Sequence, residues 1–348
     1  MVASEKWTGA AAVVWDWTRA LVSSGVEAQF AFVADGPLAR RLLPAGSARP
    51  LLSRPHGALG AFSDRRRLAQ TLARERFDVV HAHLSHDHYL AAAAVRGSPA
   101  RLVRTIHHLD QTRTDPVTRA LFRRTAAFSY ANRAIAQRRG AEGPVHSPVV
   151  DPACFAPGEK PAALLERFGV PAGAFVAGTV GKMARGRGHD EAIDAAAQVD
   201  GAVLLHVGKG EHQPRLEECA ARLGAAGRNV WAGYQEETLP GLYRCMDVFL
   251  FTASGSQQGQ RAILEAMASG VPVVALPVPG VADLLTDGVE GLVAPDVEGV
   301  TDALRRLRGD ETLRCRLGEA ARRRALEFTA EKFAARAIAF YEALLRAS

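Results

Sequence analysis

The residues best suited to chemistry lie in the stretch GSQQGQRAILEAMASG, which runs from Gly255 to Gly270 after an apolar segment ending at Phe251. A helix beginning near Gly259 would direct backbone amides and a partial positive charge toward an anion. Glu265, two turns inside that helix, could accept a hydrogen bond from a ribose, although alone it is also typical of a solvated helix acid. Gln257 precedes it by eight residues and offers an amide instead of a charge. The stretch predicts a site for an anionic, hydroxylated ligand.

A second candidate site follows another apolar run, in VAGTVGKMARGRGHDEAIDAA. Lys182 and Arg187 flank a turn that contains Gly186 and Gly188, and a helix is predicted from near Asp190. Cations and backbone amides at the carboxyl end of a parallel strand suit a diphosphate. The loop lacks the GxGxxG and GxxxxGK[ST] spacings, so the sequence supports neither a dinucleotide-binding loop nor a P-loop. Taken alone, the loop is equally typical of an ordinary surface turn.

Histidines cluster in HAHLSHDH, from His81 to His88, and again at His107 and His108. Written as HxHxxH after a strand, the cluster resembles the zinc motif of metallo-β-lactamase-type hydrolases, in which imidazoles hold a zinc ion that generates hydroxide. Ser85 stands where that motif has an aspartate, and the second half of the chain has no obvious set of His and Asp ligands. The alternatives are a zinc centre or histidines that line a cleft or begin a helix.

Short apolar runs that alternate with helix-like segments must position these residues. Strand-like runs are found at 78–81, 102–106, 175–180, 203–207, 248–251 and 271–276. Their alternation with Ala-, Leu- and Arg-rich stretches predicts βαβ units and buried parallel sheets. Before the first helix only Val2 and Ala3 are strand-like, so we expect a shortened first strand or a start that lies several residues late.

The length of 348 residues favours two domains. Prolines 152, 157 and 161 predict a boundary near residue 158. We therefore expect an N-terminal Rossmann-like domain over 1–157 and a second over 158–328. A C-terminal helix over 329–348 is predicted to return to the first domain. Its apolar residues recur at helical spacing, namely Phe333, Ile338, Tyr341 and Leu345.

Composition is that of an ordinary globular protein, with 48% hydrophobic and 23% charged residues. Four cysteines without paired spacing argue against a disulfide framework and for a reducing compartment, and we expect a cytoplasmic protein because neither a signal peptide nor a long apolar segment is evident. Residues 1–157 carry 21 Lys or Arg against 12 Asp or Glu. This excess indicates either solvated helix faces or an anionic partner such as phospholipid. Nucleic acid is not expected, because aromatics do not interleave with the basic residues.

Together these segments resemble glycosyltransferase family 4, whose members have the GT-B architecture of two facing Rossmann-like domains. The ordered matches, which cover essentially the whole chain, are WTGAA, RFDVVHAHL, LVRTIHH, VHSPVVDPACFAPG, GTVGKMARGRGHDEAIDA, VGKGEHQPRLE, NVWAGY, YRCMDVFLFTAS, ILEAMASGVPVVAL and DGVEGLVAP. The Asn-Gly of the family's interdomain segment is absent here.

The resemblance implies a role for each matching residue. Glu265 matches the second acid of the family's E-x7-E motif and would bind the nucleotide ribose, whereas Gln257 stands where the first acid reaches the transferred sugar. Lys182 and Arg187 occupy the family's Arg and Lys positions in exchanged order and would contact the diphosphate. His107 would lie near the sugar ring. The remaining residues implied to bind the donor are Gly9, Tyr234, Gly259, Gln260 and Arg261.

The function implied by the resemblance is a retaining transferase that moves a sugar from a nucleotide-sugar donor, without a metal cofactor. The expected acceptor is a saccharide or a lipid-linked molecule of the cell envelope, such as lipopolysaccharide, with contact at the inner face of the membrane. Because Gln257 departs from the family, a catalytically weak protein that binds sugar nucleotides is the alternative. A zinc hydrolase that uses the cluster from His81 to His88 is a second alternative.

Overall fold

The computed structural model describes residues 1–4, 9–53, 57–108, 115–140, 143–253 and 260–347. The chain divides into two compact units: unit 1 comprises Met1–Val149 and Ala330–Ser348, and unit 2 comprises Val150–Thr329. The boundary between the two units lies before the proline-rich segment, whereas the sequence predicted a boundary near residue 158. The reason is that Arg322 of unit 2 donates hydrogen bonds to the carbonyl oxygens of Pro152 and Phe155, and so holds the prolines to unit 2.

Unit 1 alternates strands and helices, as the sequence predicts. Its strands are β1 Phe30–Val33, β2 Ala48–Leu52, β3 Val79–Ala82, β4 Arg101–Ile106 and β5 Ala127–Tyr130. Its helices are α1 Gly9–Ser23, α2 Pro37–Leu42, α3 Gly57–Glu75, α4 Ser85–Ala94, α5 Pro116–Phe122, α6 Arg133–Arg139 and, from the end of the chain, α15 Ala330–Arg346.

The strands of unit 1 form two parallel sheets in the described part of the chain. One pairs β1 with β2, and the other has the order β3-β4-β5. Val2 makes a single parallel bridge to Phe32, beside β1. The predicted first strand is thus represented by this one bridge among the described residues.

The C-terminal helix α15 packs on α1 within unit 1. The ring of Phe333 stacks on Trp17 at 5.0 Å between centroids, and Phe333, Ala334 and Ala337 are buried. Leu345 is 39% exposed, so the apolar stripe of α15 ends before this residue. The helical spacing therefore predicted the buried face of α15 correctly only in the first part of the helix.

Unit 2 contains six strands and eight helices in the part of the chain that is described. The strands are β6 Phe175–Val180, β7 Ala202–Val207, β8 Asn229–Gly233, β9 Val248–Phe251, β10 Val273–Ala275 and β11 Gly291–Val293. The helices are α7 Ala162–Arg167, α8 His189–Ala197, α9 Gln213–Arg222, α10 Leu239–Cys245, α11 Gln260–Ala268, α12 Val281–Leu284, α13 Val297–Gly309 and α14 Glu311–Ala325, with short 3-10 turns at Ala226–Arg228 and Leu326–Phe328.

The sheet of unit 2 is a doubly wound parallel sheet with the order β11-β10-β9-β6-β7-β8. Every described pairing is parallel, because helical crossovers connect the strands. Two apolar clusters cover its faces, and β7 and β9 are buried along their whole length. This confirms the predicted α/β class. None of the described helices is long and apolar enough to cross a membrane.

Candidate functional site

The strand order of unit 2 reverses between β6 and β9, which are neighbours in the sheet although β7 and β8 lie between them in the chain. In open α/β sheets, ligands bind outside the carboxyl ends of the strands at this switch point. The loop after β6 carries Lys182 and Arg187, and the loop after β9 leads into α11. Both sequence-predicted stretches therefore begin at the place where the topology favours a ligand site.

Two glycines allow the loop after β6 to lie against the loop after β7. A Cβ at Gly208 would be 1.9 Å from the carbonyl oxygen of Gly181, and one at Gly210 would be 2.0 Å from that of Met183. Backbone hydrogen bonds join the loops, from Met183 N to Lys209 O and from His212 N to Met183 O. This role of the two glycines was not predicted from the sequence, although the Gly-Lys-Gly spacing after a strand was the available signal.

The two cations of the β6 loop differ in their surroundings. Lys182 is exposed, and its Nζ lies 2.9 Å from Oε2 of Glu211, also exposed. Arg187 is half-buried, and burial lowers the pKa of its guanidinium, which stays protonated at neutral pH. A charge in a partly dehydrated setting acts more strongly on a ligand than one that is screened by water. Arg187 is therefore the stronger candidate for an anion.

The loops after β6 and β9 contact each other directly. Oγ1 of Thr252 donates a hydrogen bond to the carbonyl oxygen of Gly188 at 2.5 Å. Gly188 has a φ of +84°, and a Cβ there would be 2.3 Å from backbone atoms of Thr252 and Ala253. The predicted site residues Gln257 and Gly259 lie outside the described residues.

Helix α11 brings three predicted donor-binding residues to this edge of the sheet. Gln260 is its first residue and is buried, with Nε2 donating to the carbonyl oxygen of Pro279 at 3.5 Å. Arg261 donates from Nε to Oε1 of Glu265 at 2.9 Å. Glu265 is 5% exposed, and its Oε2 accepts a hydrogen bond of 2.9 Å from the hydroxyl of Tyr243. A buried carboxylate with charged and hydroxyl donors is a rigid acceptor.

Tyr234 follows β8 and is 56% exposed. Its hydroxyl donates to Oε2 of Glu236 at 3.1 Å, and Nζ of Lys209 lies 5.6 Å from the centre of its ring. An exposed ring on a loop at the carboxyl end of the sheet offers a flat apolar face, on which a heterocyclic base can stack.

The other two predicted site residues belong to unit 1. Gly9 is the first residue of α1, so its backbone stands at a helix N-terminus. His107 follows β4, with Nε2 at 3.2 Å from Nδ1 of His83 and its ring stacked on Trp17. Desolvation lowers the pKa of His107 to about 3, so its ring is neutral at physiological pH.

The histidine cluster does not have the arrangement of a zinc site. His81 bonds Tyr341 through Nδ1 and Thr105 through Nε2, both at 2.7 Å. His88 bonds the hydroxyl of Thr125 through Nε2, also at 2.7 Å. Across the described ranges, no group of three or more His, Cys, Asp or Glu side chains could hold a metal ion. The HxHxxH spacing thus reflects hydrogen-bonded histidines, and the zinc alternative has no support.

Because several histidines are buried, we expect the folded protein to lose stability in mild acid. In unit 2, His206 is fully buried, stacks on Trp231 and bonds Asn229, and desolvation lowers its pKa to about 3. Unfolded, its pKa returns to about 6.5, so the unfolded chain binds the proton first as pH falls. The stabilisation is therefore complete above about pH 6.5 and is lost toward pH 4, at about 1 kcal/mol per pH unit.

The measurement is the free energy of unfolding of wild type and His206→Gln between pH 4.5 and 7.5. The variant should show a shallower dependence on pH than the wild type, because one buried titrating group is gone. Equal slopes would show that His206 is not held in the neutral form.

Two family descriptions match the chain. Residues 7–141 match Glycosyltransferase Family 4, and residues 174–310 match Glycosyl transferases group 1. The two matches follow each other along the chain, the first lying within unit 1 and the second within unit 2.

Curated relatives agree with this assignment. The lipopolysaccharide core biosynthesis glycosyltransferase LpsE of Rhizobium meliloti is 35% identical over 44% of this chain and 45% of its own. The D-inositol 3-phosphate glycosyltransferase of Kribbella flavida is 34% identical over 57% of this chain and 50% of its own. The alignments thus span about half the length of these relatives.

Solved structures show the fold. Anabaena HepE in complex with UDP has a TM-score of 0.85 at 19% identity and covers 98% of both chains. A glycosyltransferase from Rickettsia africae has a TM-score of 0.85 at 16% identity and covers 98% of this chain and 96% of its own. The two Rossmann-like α/β units with parallel sheets therefore have the GT-B fold. Because both family descriptions match in order and the fold agrees with them, the chain belongs to the group 1 glycosyltransferases of family 4.

Proposed function

We propose that the chain is a retaining glycosyltransferase that takes a sugar from a nucleotide-sugar donor. The observation that carries this proposal is the buried carboxylate of Glu265 on α11, the helix that follows β9 at the switch point of unit 2, where the loop after the neighbouring β6 carries Lys182 and Arg187. A sugar nucleotide contains a ribose, whose hydroxyls an acid can bind, and a diphosphate, whose charge cations can bind. UDP in the complexes of Anabaena HepE supports this class of ligand.

The proposed chemistry follows the charge that develops at the leaving group. When the anomeric bond breaks, the nucleoside diphosphate gains negative charge and the sugar becomes oxocarbenium-like. Arg187, Lys182 and the backbone amides that open α11 would stabilise this diphosphate electrostatically. No metal is then needed for that step. In a retaining transfer without an enzyme nucleophile, the acceptor attacks the face from which the diphosphate leaves.

The proposed acceptor is a saccharide or lipid-linked molecule of the cell envelope. The lipopolysaccharide core biosynthesis glycosyltransferase LpsE supports this class. The D-inositol 3-phosphate glycosyltransferase of Kribbella flavida shows that related chains serve other acceptors.

We further propose a cytoplasmic protein that contacts the anionic inner face of the membrane through unit 1. Phe62 of α3 and Tyr89 of α4 are 57% and 44% exposed, and the guanidinium of Arg65 lies 5.1 Å from the centre of the Phe62 ring. Exposed aromatics beside arginines favour an anionic lipid surface. No nucleic-acid partner is proposed.

A donor screen tests the proposed activity. Sugar nucleotides of several bases are incubated with the protein and candidate acceptors, with and without a chelator, and released nucleoside diphosphate is measured. Release that the chelator leaves unchanged, with retention of anomeric configuration in the product, is expected. Thermal stabilisation by a nucleotide without turnover on any donor and acceptor pair would instead favour a binding protein with weak catalysis.

Gln257→Glu should change the donor preference or kcat more than the affinity for the nucleoside diphosphate. The glutamine amide hydrogen-bonds a hydroxyl without adding negative charge, which suits an unusual or acidic donor sugar. Steady-state kinetics over a donor panel, with the diphosphate Kd measured separately, checks this. Equal kinetics on every donor would place position 257 outside the sugar site.

A further inference from the structure

The carboxylate of Glu265 is held from two sides. The hydroxyl of Tyr243, on α10, donates to Oε2 at 2.9 Å, and Nε of Arg261, one turn earlier on α11, donates to Oε1 at 2.9 Å. Two donors that approach the two oxygens from different helical positions restrict the rotation of the carboxylate.

The two donors differ in exposure, and this difference gives the carboxylate an inner and an outer oxygen. Tyr243 is fully buried, with its ring 5.7 Å from that of Phe155 and 5.9 Å from that of Phe249. The Arg261 side chain is 41% exposed. Oε2, the inner oxygen, is thus bonded by a buried donor, and Oε1, the outer oxygen, by a donor that is partly exposed; the side of Oε1 is the one from which we infer that a ligand approaches.

The phenol of Tyr243 is a permanent donor. Its hydroxyl also lies 3.3 Å from the carbonyl oxygen of Ala262, but the carboxylate of Glu265 at 2.9 Å is the nearer acceptor and is charged. Burial, and then the negative charge of Glu265, raise the pKa of Tyr243 well above the ordinary value, so the phenol keeps its proton at every physiological pH. A charge-assisted hydrogen bond to Oε2 fixes the side-chain rotation of the acid, and the packed ring holds the hydroxyl in place. An acceptor fixed before binding loses little entropy when the ligand arrives.

We propose that Tyr243 is a positioning residue for the nucleotide ribose: by holding the inner oxygen of Glu265, it presents the outer oxygen to the ribose hydroxyls. The inference rests on the proposed function, in which Glu265 binds the ribose of a sugar nucleotide. No local sequence pattern indicated this role, because Tyr243 precedes Glu265 by 22 residues and lies on a different helix.

The test compares ligands with and without ribose hydroxyls. UDP, GDP, ADP and CDP, each beside its 2′,3′-dideoxy analogue, are titrated into wild type, Tyr243→Phe, Glu265→Gln and the double variant. Tyr243→Phe keeps the ring and should weaken the best-bound diphosphate about tenfold. It should change the affinity for the dideoxy analogue by less than about twofold. In the Glu265→Gln background, Tyr243→Phe should have little further effect, since the positioned carboxylate is already gone.

Tyr130→Phe is the matched control. Tyr130 is a fully buried tyrosine of unit 1 whose hydroxyl has no hydrogen-bond partner among the described atoms, and its removal should leave every affinity unchanged. Equal weakening of both ligands by Tyr243→Phe would show a merely structural role and overturn the inference, as would unchanged binding of both. If no nucleoside diphosphate binds the wild type, the proposed function fails, and the inference fails with it.

Discussion

Arg187→Ala should lower kcat about 100-fold or more, whereas Lys182→Ala should lower it only about tenfold. Both cations stand on the loop after β6, where the departing diphosphate would gain charge. Arg187 is half-buried, whereas Lys182 is exposed to solvent. Arginine also makes forked contacts to phosphate oxygens, which lysine cannot make. The exchange of these residues relative to the family should therefore move most of the diphosphate stabilisation to position 187.

Steady-state turnover on the donor identified by the screen measures whether kcat falls more in Arg187→Ala than in Lys182→Ala. Arg185→Ala is the matched control, because Arg185 is an exposed cation of the same loop that is not placed in the proposed site. It should change kcat by less than about twofold. A loss for Arg187→Ala no larger than that of Arg185→Ala would remove the β6 loop from the mechanism.

Gly188→Ala should destabilise unit 2 by about 4 kcal/mol or more. The position has a φ of +84°, which disfavours any side chain, and the added Cβ would be 2.3 Å from the backbone of Thr252 and Ala253. Relief requires the loops after β6 and β9 to separate and the hydrogen bond from Thr252 to break. Because both loops carry the proposed donor site, any folded protein should also bind nucleotide poorly.

Gly224→Ala separates backbone strain from the clash. Gly224 has a φ of +64°, but no heavy atom lies within 4 Å of the position of its Cβ. Only the left-handed conformation is then penalised, at about 1 to 2 kcal/mol. Denaturant unfolding of the wild type and both variants measures the difference. Equal destabilisation would mean that the contact between the two loops does not constrain the fold.

Much of the fold of unit 2 was predictable, because buried parallel strands are continuous apolar runs. The runs at 175–180 and 248–251 correspond to β6 and β9 residue for residue, and 203–207 falls within β7. Local signals also placed Lys182 and Arg187 after a strand and Glu265 on a helix. These features depend on hydrogen bonds and burial within single elements, which leave a period in the sequence.

The features that sequence could not give depend on contacts between distant elements. The hydrogen bond from Tyr243 to Glu265 joins two helices, and the packing of Gly208 against Gly181 joins two loops. The histidines are a case in which the sequence suggested a contact that the fold does not make. Their spacing suggested a shared metal, whereas the fold directs His81 and His88 to separate hydroxyl partners. The spacing did not show that His81 lies on β3 whereas His88 lies on α4, nor which hydroxyl group each ring bonds.

In the proposed function, unit 2 binds a nucleoside diphosphate and Glu265 bonds its ribose. Calorimetric titration of UDP, GDP, ADP and CDP into the wild type and Glu265→Ala measures this binding. We expect at least one diphosphate to bind the wild type at a ratio of one to one, and Glu265→Ala to weaken this binding at least about tenfold. Unchanged affinity in Glu265→Ala, or no binding of any of the four to the wild type, would show that Glu265 does not hold a nucleotide.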